Sequence, residues 1–154
     1  MTTYYLDTSA LIKRYVDEAG SDWLRARLDA QPAPSVVVAH LVIVEVTSAL
    51  TRRVREGALS SVEYAQVQNA FRFDCLNEYE ILTAVGSIIN QANRLLEKHP
   101  LRAYDAVHLA TALVTNQRLL ANNLAPLIFL SADNRLNDAA SAEGLTVDNP
   151  NQHI

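Results

Sequence analysis

Four of the seventeen acidic residues stand in apolar stretches of the sequence rather than in turns or on polar helix faces. These four residues are Asp7, Glu45, Asp105 and Asp133. An ionised carboxylate on a buried face is unfavourable unless it is paired or binds a metal. Two carboxylates about 4 Å apart repel each other by about 4 kcal/mol at an effective dielectric constant of about 20, so a cluster of four needs a cation. Oxygen ligands without paired His or Cys favour Mg²⁺ or Mn²⁺, and such an ion can position a phosphate and activate a bound water.

The elements that carry these acids indicate that two of them meet at one edge of a sheet. Asp7 directly follows a predicted buried strand at Thr3–Leu6, and Asp133 follows a predicted strand at Leu127–Leu130. Strands alternate with helices along the chain, which predicts an α/β fold with a parallel sheet covered on both faces. In such folds the ligand site lies beyond the carboxyl ends of the strands.

The other two acids lie on predicted helices that must cover this sheet. Glu45 interrupts an apolar run in a helix predicted from Leu41 to Glu56. Asp105 lies in a nearly apolar helix predicted from Leu101 to Leu113, which is typical of a buried helix. The simplest explanation for all four acids is that they converge at the same edge of the sheet.

The remaining elements follow from periodicity and from capping residues. Further strands are predicted at Val36–Val38, Tyr79–Leu82 and Leu145–Val147. Further helices are predicted at Thr8–Val16, at Trp23–Leu28 with Ser21 as its cap, at Ser60–Cys75 with a Ser60–Glu63 capping box, at Ile88–Lys98 and at Asn134–Glu143. Gly57 and Gly144 occupy the positions at which helices usually end.

Each acid also has a simpler interpretation as part of the scaffold. Asp7 and Asp133 are both placed to cap the helices that follow them. Glu45 and Asp105 have basic neighbours that would make ion pairs: Arg52 or Arg53 for Glu45, and Arg102 or His108 for Asp105. Four such coincidences at once are a weaker explanation than one common site.

Two further features of the sequence have open interpretations. His108 is favoured as a core histidine or as support for an acid, because no second histidine stands at a spacing useful for a metal. Arg52, Arg53 and Arg55 form a short basic run. Contact with RNA and a solvated helix end before Gly57 explain this run equally well.

The composition limits the classes of protein to which the chain can belong. With 154 residues, of which 49% are hydrophobic and 19% charged, residues 1–154 are predicted to form one globular domain. The formal charge of -4 argues against a protein that binds nucleic acid mainly through its charge, but not against an enzyme with an acidic metal site. Cys75 is the only cysteine, which excludes an internal disulfide and a cysteine-based zinc site. Neither a membrane span nor a secretory signal is visible, so a cytoplasmic protein is expected.

The segments around the four acids resemble, in order, the motifs of PIN-domain ribonucleases. These segments are Tyr4–Leu11, Leu41–Leu50, Leu101–Ala110 and Leu130–Leu136. The resemblance extends from about Thr3 to Pro150, and within the family it is to the VapC-like toxins of bacterial and archaeal toxin–antitoxin pairs. All four motifs in order are far more specific than a single strand that ends in Asp-Thr-Ser.

The resemblance implies a three-layer α/β/α domain and an endoribonuclease that depends on Mg²⁺ or Mn²⁺. It implies that the four acids are catalytic and hold the metal. It implies supporting roles for four other residues: Ser9 beside Asp7, Ser131 near Asp133, and Arg102 and Arg135 as phosphate contacts or counter-ions of the acids. The expected partners are RNA, a second copy of the chain, and a small antitoxin whose C-terminal segment blocks the acidic cleft with a basic side chain.

Other functions remain as alternatives to a toxin nuclease. Within the family these are a catalytically silent module that only binds a partner, and a nuclease of RNA processing that is not a toxin. Outside it, a haloacid-dehalogenase-like phosphatase would require an aspartate at position 9, where this chain has Ser9. A signalling receiver domain would require a lysine after the last strand, whereas the strand from Leu127 is followed by Ser131-Ala132-Asp133.

Overall fold

A computed structural model describes residues 1–154, and its centre is a sheet of five parallel strands in the order β3-β2-β1-β4-β5. The strands are β1 (Thr3–Leu6), β2 (Ser35–Ala39), β3 (Tyr79–Leu82), β4 (Ile128–Leu130) and β5 (Thr146–Asp148). The chain fills one half of the sheet from β1 to β3 and then crosses back to place β4 on the other side of β1. The strand order therefore reverses between β1 and β4, which is where parallel sheets form ligand crevices.

Seven helices cover the two faces of the sheet. They are α1 (Thr8–Leu11), α2 (Ser21–Leu28), α3 (Val42–Arg55), α4 (Ser61–Asn77), α5 (Gly86–Lys98), α6 (Ala103–Ala121) and α7 (Asn134–Ala142). Short 3₁₀ turns at Ile12–Arg14 and Pro150–Gln152 complete the chain. No helix combines the length and the apolar character needed to cross a membrane.

Alternate residues of the central strands supply two separate cores. Tyr4 and Leu6 of β1 pack with α1 to α4 on one face, whereas Tyr5 packs with α5 to α7 on the other. Because both faces of β1 are covered, all four of its residues are buried. This arrangement confirms the predicted α/β/α layers around a parallel sheet.

Most element boundaries are close to those predicted, and the capping signals are confirmed. Ser60 and Glu63 form the capping box that begins α4. Gly57 and Gly144 follow their helices with φ angles of 75° and 90°, a conformation that glycine adopts without steric cost. Helix α6 continues eight residues beyond the predicted end, to Ala121, with Thr111 and Thr115 facing the core.

Two predictions for the segment after β1 are wrong. The helix expected from Thr8 to Val16 has only four α-helical residues before it tightens into the 3₁₀ turn. Ser21 does not cap α2, because Gly20 occupies the N-cap position. The Ser21 hydroxyl instead donates to the Val16 carbonyl at 3.0 Å and accepts from the Glu18 amide at 2.9 Å. Its hydrogen bonds thus organise the loop before the helix rather than the helix end.

The close approach of Gly20 to Pro150 predicts that Gly20→Ala strongly destabilises the fold. Gly20 has a φ of 80°, and a Cβ there would lie 2.0 Å from the Pro150 carbonyl oxygen, whose backbone cannot easily move away. Gly57 is a matched control, since its φ is 75° and an added Cβ meets nothing within 4 Å. In urea unfolding, Gly57→Ala should cost about 1 to 2 kcal/mol, and Gly20→Ala should cost roughly 1 to 3 kcal/mol more. Equal losses would contradict the close approach.

Candidate active site

An open cavity of about 620 Å³ lies where the strand order reverses, beyond the carboxyl ends of β1 and β4. All four acids singled out in the sequence line this cavity: Asp7, Glu45, Asp105 and Asp133. Residues Thr8 and Ser9 after β1, and Ala132 after β4, complete its floor. The structure therefore brings together side chains that are up to 126 positions apart in the chain.

Asp7 is a buried carboxylate at the end of β1, with 4% of its surface exposed. Ser9 and Ser131 each donate a hydroxyl hydrogen bond of 2.7 Å to it, and the Ala10 amide donates at 2.9 Å. Burial raises the pKa of Asp7, and these donors and the nearby His108 oppose the shift. Asp7 is thus the N-cap of α1, as the simpler interpretation proposed, and it also lies in the cavity.

The two serines also join the loops that follow β1 and β4. Ser9 Oγ accepts from the Ala132 amide at 2.9 Å, and Ser131 Oγ accepts from the Asp133 amide at 3.0 Å. Ser131 is completely buried. Each hydroxyl thus donates its one proton to Asp7, while a lone pair accepts from an amide of the loop after β4.

Glu45 is held by a chain of hydrogen bonds that crosses all three layers. Its Oε1 atom lies 2.9 Å from Thr8 Oγ1 and 2.7 Å from His108 Nε2. The second ring nitrogen of His108 lies 2.9 Å from the Tyr5 hydroxyl. Because an ionised carboxylate only accepts, His108 Nε2 donates its proton to Glu45.

This network settles the alternatives for Glu45 and His108. Glu45 pairs with neither Arg52 nor Arg53, and its Oε2 atom receives no hydrogen bond from the protein. Both nitrogens of His108 are engaged by protein groups, and the residue is 2% exposed. His108 therefore lies behind Glu45 and supports it, rather than presenting a free nitrogen to the cavity.

Asp133 lies close enough to Asp105 for its charge to affect the ionisation of Asp105. Burial raises the pKa of Asp105, and the negative charge of Asp133 raises it further. No basic group lies within 4 Å of Asp105, so the ion pair with Arg102 or His108 is not formed. Asp133 is exposed and caps α7 by accepting from the amides of Arg135 and Leu136.

The two arginines expected at the site differ in their positions. Arg102 is exposed at the N-cap of α6 and lines the cavity, where its positive charge acts to lower the pKa of Asp105. Arg135 is exposed but does not line the cavity, and only its backbone amide contacts an acid of the site. The structure therefore brings Arg102 to the acids and leaves the Arg135 side chain outside.

The sequence did not reveal the cluster of ion pairs that Lys13, Glu18 and Arg53 form in the cavity. Lys13 is buried, and its ammonium donates to Glu18 at 3.2 Å and to the Ala19 carbonyl at 2.9 Å. Arg53 pairs with the other oxygen of the same Glu18. Glu18 therefore lines the cavity between two cations. In the sequence, Lys13 directly follows the apolar run Ala10-Leu11-Ile12. A charged residue in an apolar stretch is the same feature that singled out the four acids.

The donor set suits a hard divalent cation, although it is not a closed ligand cage. No three His, Cys, Asp or Glu side chains lie close enough together to hold one ion. The acids share a cavity without converging, because Asp7 is tied to the serines, Glu45 to His108, and Asp133 to the start of α7. Mg²⁺ typically uses one or two carboxylates directly and keeps several waters, so this open arrangement of oxygen donors fits it.

Comparison with known proteins identifies the family. The sequence profile of the PIN domain matches residues 4–141. The chain belongs to the PIN-domain family. This PIN domain is 34% identical to "Ribonuclease VapC35" of Mycobacterium tuberculosis over 149 residues, which cover 96% of this chain and 97% of that protein. The resemblance seen in the four motifs is thereby confirmed.

Solved structures share the fold of this PIN domain over nearly its whole length. A toxin–antitoxin complex from Klebsiella pneumoniae matches with a TM-score of 0.63 at 18% identity, covering 96% of this chain and 97% of that one. VapC20 from Mycobacterium tuberculosis, described as a toxin that cleaves the sarcin–ricin loop, matches with a TM-score of 0.62 at 18% identity. That match covers 93% of this chain and 96% of VapC20. At a sequence identity of 18%, the similarity to these two structures shows a shared fold.

The raised pKa of Asp105 predicts a pH-dependent stabilisation by Asp105→Asn. A carboxyl whose pKa is higher in the folded than in the unfolded state destabilises the fold increasingly as pH rises through that range. In EDTA, the variant should melt at a higher temperature than the parent at neutral pH, and the difference should vanish in acid, where Asp105 is protonated in both states. Asp138→Asn, at an exposed position of α7 outside the cavity, should leave the melting temperature unchanged at both neutral and acid pH. A lower melting temperature for Asp105→Asn at neutral pH would assign Asp105 to the scaffold.

Proposed function

We propose that this PIN domain is a metal-dependent endoribonuclease that hydrolyses RNA phosphodiester bonds and acts as the toxin of a toxin–antitoxin pair in the cytoplasm. The observation that carries the proposal is the presence of four carboxylates around one open cavity at the reversal point of the sheet. The 34% identity to a protein named as a ribonuclease supports it. So does the likeness in fold to a toxin described as cleaving the sarcin–ricin loop.

The residues proposed to bind Mg²⁺ or Mn²⁺, directly or through its bound waters, are Asp7, Glu45, Asp105 and Asp133. When bound, the ion would polarise the phosphate and lower the pKa of the attacking water. Glu45 offers Oε2, because its Oε1 is occupied by Thr8 and His108. Asp105 has no basic partner within 4 Å, and burial and the charge of Asp133 raise its pKa, so a bound cation would offset both effects.

The other residues of the cavity orient these carboxylates and admit the substrate. Ser9 and Ser131 keep both oxygens of Asp7 in hydrogen bonds, which favours its ionised form despite burial. Arg102 places a positive charge near Asp105 at the mouth of the cavity. A strand of RNA carries negative charge into an acidic cavity, so its approach requires such compensation.

The first prediction of this proposal concerns catalysis. Purified protein should cleave single-stranded or loop RNA with Mg²⁺ or Mn²⁺, and EDTA should stop the reaction. Asp7→Asn and Asp105→Asn should each lower the rate by about 100-fold or more, as is usual when a group of the catalytic machinery is lost. Asp138→Asn should cut at the parent rate. If both cavity variants also cut at the parent rate, the site is misassigned or the activity is a contaminant.

A thermal melt tests the metal without any RNA. A metal that binds only the folded state stabilises it by about 2.7 kcal/mol at one hundred times its dissociation constant. Mn²⁺ should therefore raise the melting temperature of the parent, and it should raise that of Asp105→Asn less, because one donor is lost. An undiminished gain in the variant would remove Asp105 from the metal site.

The second prediction concerns the partners. We expect a homodimer and a small antitoxin whose C-terminal segment places a basic side chain in the acidic cavity, since opposite charges favour such a contact. The toxin–antitoxin complex among the structural relatives supports this expectation. Expression of the parent alone should slow growth, whereas Asp7→Asn, or co-expression of the small protein encoded next to it, should relieve the effect. Unimpaired growth together with a monomer in light scattering would count against it, and cleavage without growth arrest would favour a nuclease of RNA processing.

A further inference from the structure

The three arginines near the end of α3 have different surroundings, although the sequence presents them as one basic run. Arg55 is exposed and does not line the cavity. Arg53 lines the cavity, but it is paired with Glu18 and also donates to the Ala49 carbonyl at 3.2 Å. Arg52 lines the cavity, is exposed, and has no acidic group within 4 Å. Of the three arginines, only Arg52 lines the cavity without an acidic partner.

Glu18 accounts for the difference between Arg52 and the neighbouring cations. Its two carboxylate oxygens are taken by Lys13 and by Arg53. These two cations are therefore compensated within the protein, and the Lys13 ammonium is buried as well. The positive charge that remains available to a ligand in the cavity belongs to Arg52 and Arg102.

Arg52 lies about two helical turns beyond Glu45 on α3 and pairs with no acid of the cavity. It follows Glu45 by seven residues, which is about 10 Å along a helix axis. Ser48 lies between them on the same wall of the cavity. Arg102, in contrast, is three residues from Asp105, and its charge opposes the rise in the pKa of Asp105 that burial causes. The cavity thus has one arginine beside Asp105 and another about two turns along α3 from Glu45.

We propose that Arg52 binds a phosphate of the RNA strand at a position beyond the bond that is cut. A guanidinium presents a planar fork of donors that matches two phosphate oxygens, and an exposed arginine without an ion pair loses no internal partner when it binds one. The strand would pass along the α3 wall from Glu45 to Arg52, with its scissile phosphate at the acids. This inference rests on the proposed function, because it assumes a nucleic-acid substrate.

Arg52→Gln tests the inference, with Arg55→Gln as the matched control on the same helix. Binding of a short fluorescein-labelled single-stranded RNA is measured with Mn²⁺ over a range of NaCl concentrations, in an Asp7→Asn background that keeps the RNA intact. Loss of one phosphate contact on a single strand should lower the slope of log K against log salt by about 0.7, and weaken binding by about tenfold at low salt. Arg55→Gln should retain the parent slope, and Arg52→Lys, which keeps the charge, should largely restore it.

Steady-state cleavage separates binding at a distance from a role in the reaction. In the otherwise unaltered protein, Arg52→Gln should raise KM with kcat nearly unchanged, because the contact is the same in the ground state and the transition state. Equal slopes for Arg52→Gln and Arg55→Gln, in a protein that binds and cuts RNA, would overturn the inference and leave the proposed function standing. A fall in kcat with unchanged KM would also overturn it. Failure of the parent to bind or cut RNA would overturn both.

Discussion

Asp7 is a carboxylate buried at the end of the central strand, and much of the surrounding structure compensates for that burial. Two serine hydroxyls and one backbone amide donate to it, and these bonds favour the ionised form against the cost of desolvation. The same two serines accept from the amides of Ala132 and Asp133 in the loop after β4. Solvating Asp7 and joining the loops after β1 and β4 are therefore one and the same set of contacts.

The cavity is arranged so that most of its charges are satisfied and a few are not. Glu45 is held on one oxygen by Thr8 and His108, and Glu18 is taken up by Lys13 and Arg53. The groups without an ionic partner include Asp105 and the second oxygen of Glu45 on the acidic side, and Arg52 and Arg102 on the basic side. Because unpaired charges in a cavity are the ones available to a ligand, they indicate where a cation and a phosphate would be bound.

Helix capping and site formation turn out to be compatible interpretations of the same residues. Asp7 and Asp133 cap the helices that follow them, as the local sequence allowed, and both still line the cavity. A parallel sheet makes this combination natural, since the carboxyl end of a strand and the amino end of the next helix meet at the same edge. The acids nevertheless share the cavity without forming a closed cage, because each is held by its own neighbours.

The sequence by itself determined the layers, the parallel sheet and the four acids, because apolar periodicity and misplaced charges are local signals. It did not reveal the pairing of Glu45 with His108, 63 positions away, since a histidine in an apolar helix says nothing about the residue it faces. It also presented Arg52, Arg53 and Arg55 of α3 as one basic run. Only the tertiary structure brought Lys13 and Arg53 to Glu18, excluded the Arg135 side chain from the cavity and left Arg52 unpaired within it. Whether a charge is satisfied depends on distances between elements remote in the chain, and those distances are decided by packing.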